Sequence, residues 1–218
     1  MKFKSYITPD NEVSREVNST LGSSEKWGHL DQKFLFILQR IDYLNDLSSS
    51  IFSTVKENRR KLLNHEYIRG KDGVKPYIEI IHLVNDVRMI IDELISLLYI
   101  SEFKTEFGDF PDTIKISSIG EFIEKATKSN ISKLKFFNEY IEFLKTINEV
   151  SNAYKHSFIN SEILFYRQKE YPIILAAKNP FNKVGNQRVL IAENLELFIE
   201  NFNNFFEKYL VEIKKHYR

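Results

Sequence analysis

The chain of 218 residues is long enough to bury a sizeable core as one domain, and its 43% hydrophobic and 14% aromatic residues exclude the composition typical of disordered chains. The net charge of +1 gives no global field toward nucleic acid or acidic membranes, so any such contact needs a local patch. The sequence contains no cysteine, which excludes disulfides, thiolate nucleophiles and zinc–thiolate sites and fits a reducing compartment. We therefore expect a cytoplasmic protein.

The first 29 residues are polar and lack the apolar core of a signal peptide. We predict a loosely packed N-terminal extension over residues 1–29, followed by a single helical-bundle domain over residues 30–218. The most apolar run, residues 90–100, is interrupted by Asp92 and Glu93. Because a spanning helix needs about 20 mainly apolar residues, the sequence predicts no membrane span.

Four long segments place apolar residues at three- and four-residue spacing, which predicts four long amphipathic helices. Their expected bounds are Asp31 to about Glu57, Pro76 to about Phe103, Ser132 to about Phe158, and Glu193 to about His216. A short helix is expected at Ile119–Ala126. The stretch Gly70–Gly73 predicts a break before the second long helix, and Pro76 then fits its first turn, where a missing N–H has no intrahelical partner.

Between the third and fourth long helices the apolar period changes to about two, which predicts short strands. They are expected at Ile163–Tyr166, Tyr171–Leu175 and Arg188–Ile191, within an insertion at about 162–192. Pro172 cannot donate to a ladder, so its strand should lie at an edge. The predicted fold class is therefore mainly α: an up-and-down four-helix bundle with a small antiparallel β insertion between the third and fourth long helices.

The candidate site lies in the stretch from Ile147 to His156, where an apolar row of the third long helix becomes polar without the helix ending. At about 100° per residue, that row continues as Asn148, Asn152 and Lys155. The neighbouring row stays apolar, so we expect these polar side chains to border the core rather than open water. A four-residue step also joins Asn148, Asn152 and His156.

The second long helix offers a partner for this stretch. Asn85, Arg88 and Asp92 fall at the edge of its apolar stripe, and Arg88 and Asp92 are spaced to meet on one turn. If the second and third long helices pack together, Arg88 could approach Asn152 and His156. The alternative is a structural cluster that fixes helix register, because a buried polar group left unpaired costs about 1 to 3 kcal/mol.

The segment Asn152–Ser157, Asn-Ala-Tyr-Lys-His-Ser at the close of a bundle helix, resembles the helix-end motif of the HEPN superfamily. That family comprises helical domains of ribonuclease toxins, phage-defence proteins and nucleotidyltransferase partners. Its motif is an arginine, four to six further residues and a histidine. His156 matches the histidine, but position 151 is Ser and position 152 is Asn, so the arginine is missing. The resemblance therefore extends to the fold more than to ribonuclease activity.

Metal-independent RNA cleavage needs an imidazole that moves the 2′-hydroxyl proton and a cation that stabilises the charged phosphorane. His156 is the candidate catalytic residue, either as a proton shuttle or as a hydrogen-bond donor to a phosphate. Lys155 and Arg88 are the candidate anion contacts, with Asn148 and Asn152 as positioning amides. Whether the site catalyses any reaction is left open by the missing arginine.

A second stretch with the spacing of the motif follows the first long helix, where Arg59 or Arg60 precedes His65. Its alternative interpretation is a basic, solvated helix end. No two of the five histidines are three or four residues apart, and no glycine-rich run is present. We therefore expect no metal and no cofactor.

The fourth long helix is apolar over more than half of its circumference, which is more than a one-sided surface helix requires. We therefore predict a homodimer through this helix, and the HEPN resemblance also implies dimers that form their site at the interface. The resemblance implies a HEPN-like component of a bacterial stress or defence system that contacts RNA or a nucleotide. The alternative is a non-catalytic protein-interaction or dimerisation module whose polar cluster is structural.

Overall fold

The computed structural model describes residues 2–6, 21–68, 70–128, 135–156, 171–178 and 189–216. These residues are mainly helical and include two small antiparallel β hairpins. The helices are α1 (Leu30–Leu63), α2 (Gly70–Phe107), α3 (Ile119–Lys128), α4 (Lys135–Asn138), α5 (Ile141–His156) and α6 (Leu195–Lys215). The strands are β1 (Ser23–Ser24), β2 (Gly28–His29), β3 (Ile173–Lys178) and β4 (Val189–Asn194). No helix in the described ranges is long and apolar enough to cross a membrane.

Helices α1 and α2 form an antiparallel pair. Arg40 Nη1 donates to Glu93 Oε1 over 2.8 Å, and Ser50 Oγ donates to Glu79 Oε1 over 2.9 Å. Advancing along α1 therefore moves backwards along α2. Both helices are longer than predicted, and α2 is the helix that α1, α5 and α6 all contact.

Pro76 lies inside α2 rather than in its first turn, so the predicted break at Gly70–Gly73 is wrong. Proline has no N–H to donate to the carbonyl four residues earlier, which leaves the Asp72 carbonyl without its helical partner. Asn58 of α1 fills that role, because its Nδ2 donates to Asp72 O over 2.9 Å. A side chain from the neighbouring helix thus completes α2 where the sequence would interrupt it.

The predicted third long helix is divided into α4 and α5. The N–H of Glu139 bonds to Phe136 O over 3.2 Å and that of Tyr140 to Phe137 O over 3.1 Å, so the chain turns with three-residue spacing between the helices. Regular bonding resumes with Leu144 N to Tyr140 O at 2.9 Å. The predicted ends of this helix, at residues 132 and 158, lie outside the described residues.

Helix α6 follows β4 directly and begins at a capped residue. The Asn194 side chain accepts from the N–H groups of Glu196 and Leu197, which otherwise have no intrahelical partner. The apolar face of α6 is buried within the chain itself, with zero exposure at four large aromatic residues: Phe202, Phe205, Phe206 and Tyr209. Tyr209 also donates its hydroxyl to Leu94 O of α2 over 3.0 Å. The apolar surface behind the dimer prediction is therefore used inside one chain.

Strands β3 and β4 confirm the predicted small antiparallel insertion. They pair from Ile173 opposite Asn194 to Lys178 opposite Val189. Pro172 precedes β3, and its carbonyl accepts from Leu195 N over 3.1 Å instead of joining the ladder. The additional strand predicted at residues 163–166 lies outside the described residues.

The described part of the N-terminal segment packs against the helices, which corrects the expectation of loose packing there. Phe3 and Tyr6 are 2% and 6% exposed, and both rings contact aromatic rings of α6. The Asn203 amide of α6 accepts from Lys4 N over 2.9 Å and donates to Lys2 O over 3.0 Å, as a neighbouring strand would. Residues 2–6 are therefore held by both apolar and backbone contacts.

Candidate functional site

A polar cluster joins α2 to α5, and we call it the Arg88 cluster. Its members are Asn85, Arg88 and Asp92 on α2 with Ser151 and Asn152 on α5. Arg88 Nη1 donates to Asn152 Oδ1 over 2.7 Å and to Ser151 Oγ over 3.3 Å. The predicted approach of Arg88 to Asn152 is thus confirmed.

Ser151 lies at the centre of this contact and is completely buried. Its hydroxyl accepts from Arg88 and donates to Asn85 Oδ1 over 2.7 Å, so both its hydrogen-bonding roles are used. Asn85 was predicted to border the apolar stripe of α2, but neither Asn85 nor Ser151 was a predicted site residue. The sequence indicates the burial of Ser151 only through its position, one helical turn beyond Ile147, which is buried.

Asp92 connects the Arg88 cluster to α3. Its Oδ1 accepts from the N–H of Ile119, the first residue of α3, over 2.7 Å, and its Oδ2 lies 3.8 Å from Arg88 Nε. Burial raises the pKa of the Asp92 carboxyl above its ordinary value of 3.8, and Glu121 adds to that rise. The Ile119 N–H, Arg88 and Lys155 oppose the rise in this pKa. A desolvated carboxylate is therefore retained here as a helix cap beside a cation.

Asn148 lies one turn before Asn152 on α5 and receives a longer contact of 3.4 Å from Asn152 Nδ2 to its Oδ1. A Cβ at Gly120 would meet this same oxygen at 3.9 Å, so the first turn of α3 passes close to Asn148. The two predicted positioning amides thus form a short row between α3 and Arg88. This row borders the core, as the helical periodicity predicted.

Lys155 and His156 form the last residues of α5, and both side chains are exposed. The charge of Lys155 lowers the pKa of Asp92, which places this cation within electrostatic reach of the Arg88 cluster. His156 is thus open to solvent at the end of the same helix that holds Asn152. The exposed imidazole and the exposed ammonium form the accessible side of the candidate site.

The second stretch with motif spacing lies at the end of α1. Arg60 donates to Glu57 through Nε over 2.9 Å and through Nη2 over 2.8 Å, and its Nη1 lies 3.2 Å from Glu66 Oε1. His65 follows the helix with a φ of 57°, in the left-handed region. The Arg60 guanidinium is therefore committed to two carboxylates in an exposed turn, which favours a solvated helix end over a catalytic pair.

The described residues include no group of three or more His, Asp or Glu side chains that could hold a metal ion. No protein-family model, curated protein or solved structure matches the chain. Helices with small antiparallel hairpins occur in many unrelated folds, so this architecture is not specific to one family. The HEPN resemblance and the activity it implies therefore stay predictions.

Proposed function

We propose that the protein is a HEPN-like component of a bacterial stress or defence system, acting in the cytoplasm and contacting RNA or a nucleotide through the end of α5. The observation that supports this most directly is the exposure of Lys155 and His156 beside the half-buried Arg88 cluster. Phosphate groups bind where cationic and hydrogen-bonding side chains are accessible and are held in place by a rigid neighbourhood.

The proposal assigns different roles to the inner and outer residues of the site. Lys155 contacts a phosphate as a point charge, and His156 donates to a phosphate oxygen or exchanges a proton with a ribose hydroxyl. Asn148 and Asn152 position α5 against Arg88 through the contacts described above. Arg88, with only 15% of its side chain exposed, adds positive potential from within.

We also propose that the four long helices form an up-and-down bundle that dimerises. Two features support the bundle: α1 and α2 are antiparallel, and the α6 aromatic residues pack against α4 and α5 in reverse order. Support for the dimer is narrower, because the remaining exposed apolar side chains on α6 are Leu197 and Val211, at 50% and 59% exposure in the described residues.

The second candidate function is a protein-interaction module in which the polar cluster is purely structural. One observation favours it: Arg88 is engaged by Asn152, Ser151 and Asp92 of its own chain. A cation satisfied in this way fixes the crossing of α2 and α5 without binding any ligand.

The two candidate functions differ in what His156→Ala should change. The site proposal predicts that the variant unfolds at the wild-type temperature, since an exposed ring adds little packing, but binds a single-stranded RNA more weakly and loses any cleavage of it. His82→Ala, at an exposed position on α2, is the matched control. The catalytic hypothesis would be contradicted if His156→Ala unfolds at a lower temperature than wild type and neither wild type nor the variant cleaves RNA.

A further inference from the structure

A half-open cavity of about 370 Å³ lies between the start of α1, the second half of α2 and the segment 108–118, and none of its lining residues belongs to the Arg88 cluster. Its floor is formed by apolar side chains that are almost fully buried, Ile37, Leu97 and Ile100. Trp27 and Phe36 provide aromatic walls. A volume of this size and an apolar lining are typical of small-molecule sites.

The walls of the cavity are held in place before any ligand enters. The indole Nε1 of Trp27 donates to Pro111 O over 2.7 Å, which fixes the β1–β2 hairpin to the segment that follows α2. The neighbouring Lys26 pairs with Asp109 over 3.0 Å and donates to Phe110 O over 3.1 Å. A preformed cavity saves the ordering cost that binding would otherwise carry.

Two charged residues line the cavity, and they differ in how they are compensated. Glu93 Oε1 accepts from Arg40 Nη1 over 2.8 Å, so its negative charge is paired. Lys33 Nζ donates to the carbonyl of Trp27 over 3.0 Å, and among the described residues no carboxylate lies within ion-pair distance of it. An ammonium group has three donors, so Lys33 can bind a further acceptor. The charge that the cavity offers to a ligand is therefore the positive charge of Lys33.

We propose that this cavity binds a small aromatic monocarboxylate. The ring of the ligand occupies the apolar floor between Trp27 and Phe36, and its carboxylate accepts from Lys33. Aromatic rings gain from edge or offset contacts with these two walls, which an aliphatic chain would not. A cationic ligand would meet the uncompensated Lys33 and no free carboxylate of the described lining. This site is independent of the function proposed for α5.

Trp27 makes the proposal directly measurable, because it is the only tryptophan in the chain and forms a wall of the cavity. The probe is 4-phenylbutanoate, and 4-phenylbutan-1-ol is its uncharged counterpart. Titration of the full chain with the acid should change the Trp27 fluorescence in a saturable way. The alcohol should bind about fivefold more weakly, as expected for the loss of one partly exposed ion pair.

Three variants locate the binding. Lys33→Gln should bind the acid and the alcohol equally, since the exposed position tolerates the change while the charge is lost. Ile114→Phe extends a lining residue into the cavity and should abolish binding of both probes, whereas Thr113→Phe, at the adjacent exposed position outside the lining, should leave both affinities unchanged. Circular dichroism confirms folding of each variant.

Several results would overturn the proposal. The first is that the wild-type fluorescence does not respond to the acid, and the second is that the wild type binds the acid and the alcohol with equal affinity. The third is that Ile114→Phe and Thr113→Phe lose equal amounts of affinity for the probes. If Ile114→Phe fails to fold, the comparison of Lys33→Gln with wild type decides the outcome. The Lys33 side chain is exposed and contributes little to packing, so this variant should fold.

Discussion

At the scale of single residues, Arg88 joins α2 to α5. Its guanidinium has hydrogen bonds to Ser151 and Asn152, and 15% of the side chain is exposed. Removing one partner from such a cluster leaves the others unpaired in a poorly hydrated place, which costs more than the net strength of the bond.

We expect Arg88→Met to lower the free energy of unfolding by about 2 kcal/mol, because the aliphatic stem is kept while Asn152 and Ser151 lose their donor. Asn152→Ala should cost less, about 1 kcal/mol. The double variant should lose less than the sum of the two, since both single changes remove the same bond. Urea unfolding measures the three values, and strict additivity would show that the bond adds no stability.

The raised pKa of Asp92 predicts that the stability of the protein depends on pH. Burial raises the pKa of its carboxyl in the folded protein above the ordinary 3.8. The contribution of this group to stability is therefore fully present below the ordinary pKa and is lost as the pH rises through the raised value. Asp92→Asn keeps an acceptor for Ile119 N–H but does not titrate.

The stability of wild type relative to Asp92→Asn should therefore fall as the pH rises from about 3.8 through the raised pKa of Asp92. Asp92→Ala, which also removes the cap on α3, should be about 1 kcal/mol less stable than Asp92→Asn at neutral pH. Urea unfolding at a series of pH values gives both comparisons. A wild-type advantage that grows with pH would contradict the assignment.

At the scale of elements, α1 and α2 depend on each other where Pro76 interrupts the bonding of α2. The carbonyl of Asp72 is satisfied by Asn58 of α1 rather than by the α2 backbone. An unsatisfied carbonyl in the half-buried pairing of two helices would cost stability, so this contact allows α2 to continue through Pro76 to Gly70.

Asn58→Ala should lower the free energy of unfolding by about 1 kcal/mol when Pro76 is present. The same change should cost little in a Pro76→Ala background, because alanine has the backbone N–H that proline lacks and can donate it to Asp72 O. Thermal or urea unfolding of the four proteins in this cycle gives the coupling energy. An equal cost of Asn58→Ala in both backgrounds would show that Asn58 stabilises the helix pair in some other way.

Periodicity alone predicted the positions of the long helices and of the β3–β4 hairpin, because apolar spacing reflects which side of an element is buried. It failed at Gly70–Gly73 and at residues 139–140. Glycine and proline predict a break from local preferences, but a contact from another helix, Asn58 to Asp72, overrides them here. The turn between α4 and α5 has no glycine or proline to indicate it.

The candidate site was predictable to a similar extent. The edges of two apolar stripes predict that Arg88 and Asn152 lie close together, and that contact exists. Asn85 was predicted to border the apolar stripe of α2, but its contact with Ser151 was not predicted. A single buried serine gives no periodic pattern that would mark it as part of the cluster. The cap from Asp92 to Ile119 joins residues 27 positions apart and depends on packing that no local pattern encodes.

At the scale of the whole molecule, α6 is central because its aromatic face is covered from several sides. Phe206 stacks at 6.5 Å from Phe34 of α1 and contacts Tyr6 of the N-terminal segment at 4.8 Å. A sequence shows how much of a helix is apolar, but it does not show how many elements will cover it. Most of the wide apolar face of α6 is covered within one chain, so the proposed homodimer rests on the exposed Leu197 and Val211.

With an overall charge of +1, the proposed RNA binding depends on a few side chains rather than on the whole surface. Each phosphate contact made by a lysine should then appear in the salt dependence of the affinity. Lys145 of α5 offers a control of the same type, since it lies two to three turns earlier on the helix and pairs with Glu142 over 2.7 Å.

The most direct test of this account is the affinity of the full chain for a fluorescein-labelled single-stranded RNA, measured by anisotropy at several salt concentrations. We predict that Lys155→Gln combined with His156→Ala weakens binding about tenfold and reduces the salt slope by about 0.7, as expected for one lost phosphate contact. Lys145→Gln combined with His82→Ala should leave both unchanged. No measurable wild-type affinity, or equal losses in the two double variants, would contradict the proposal that the end of α5 contacts RNA.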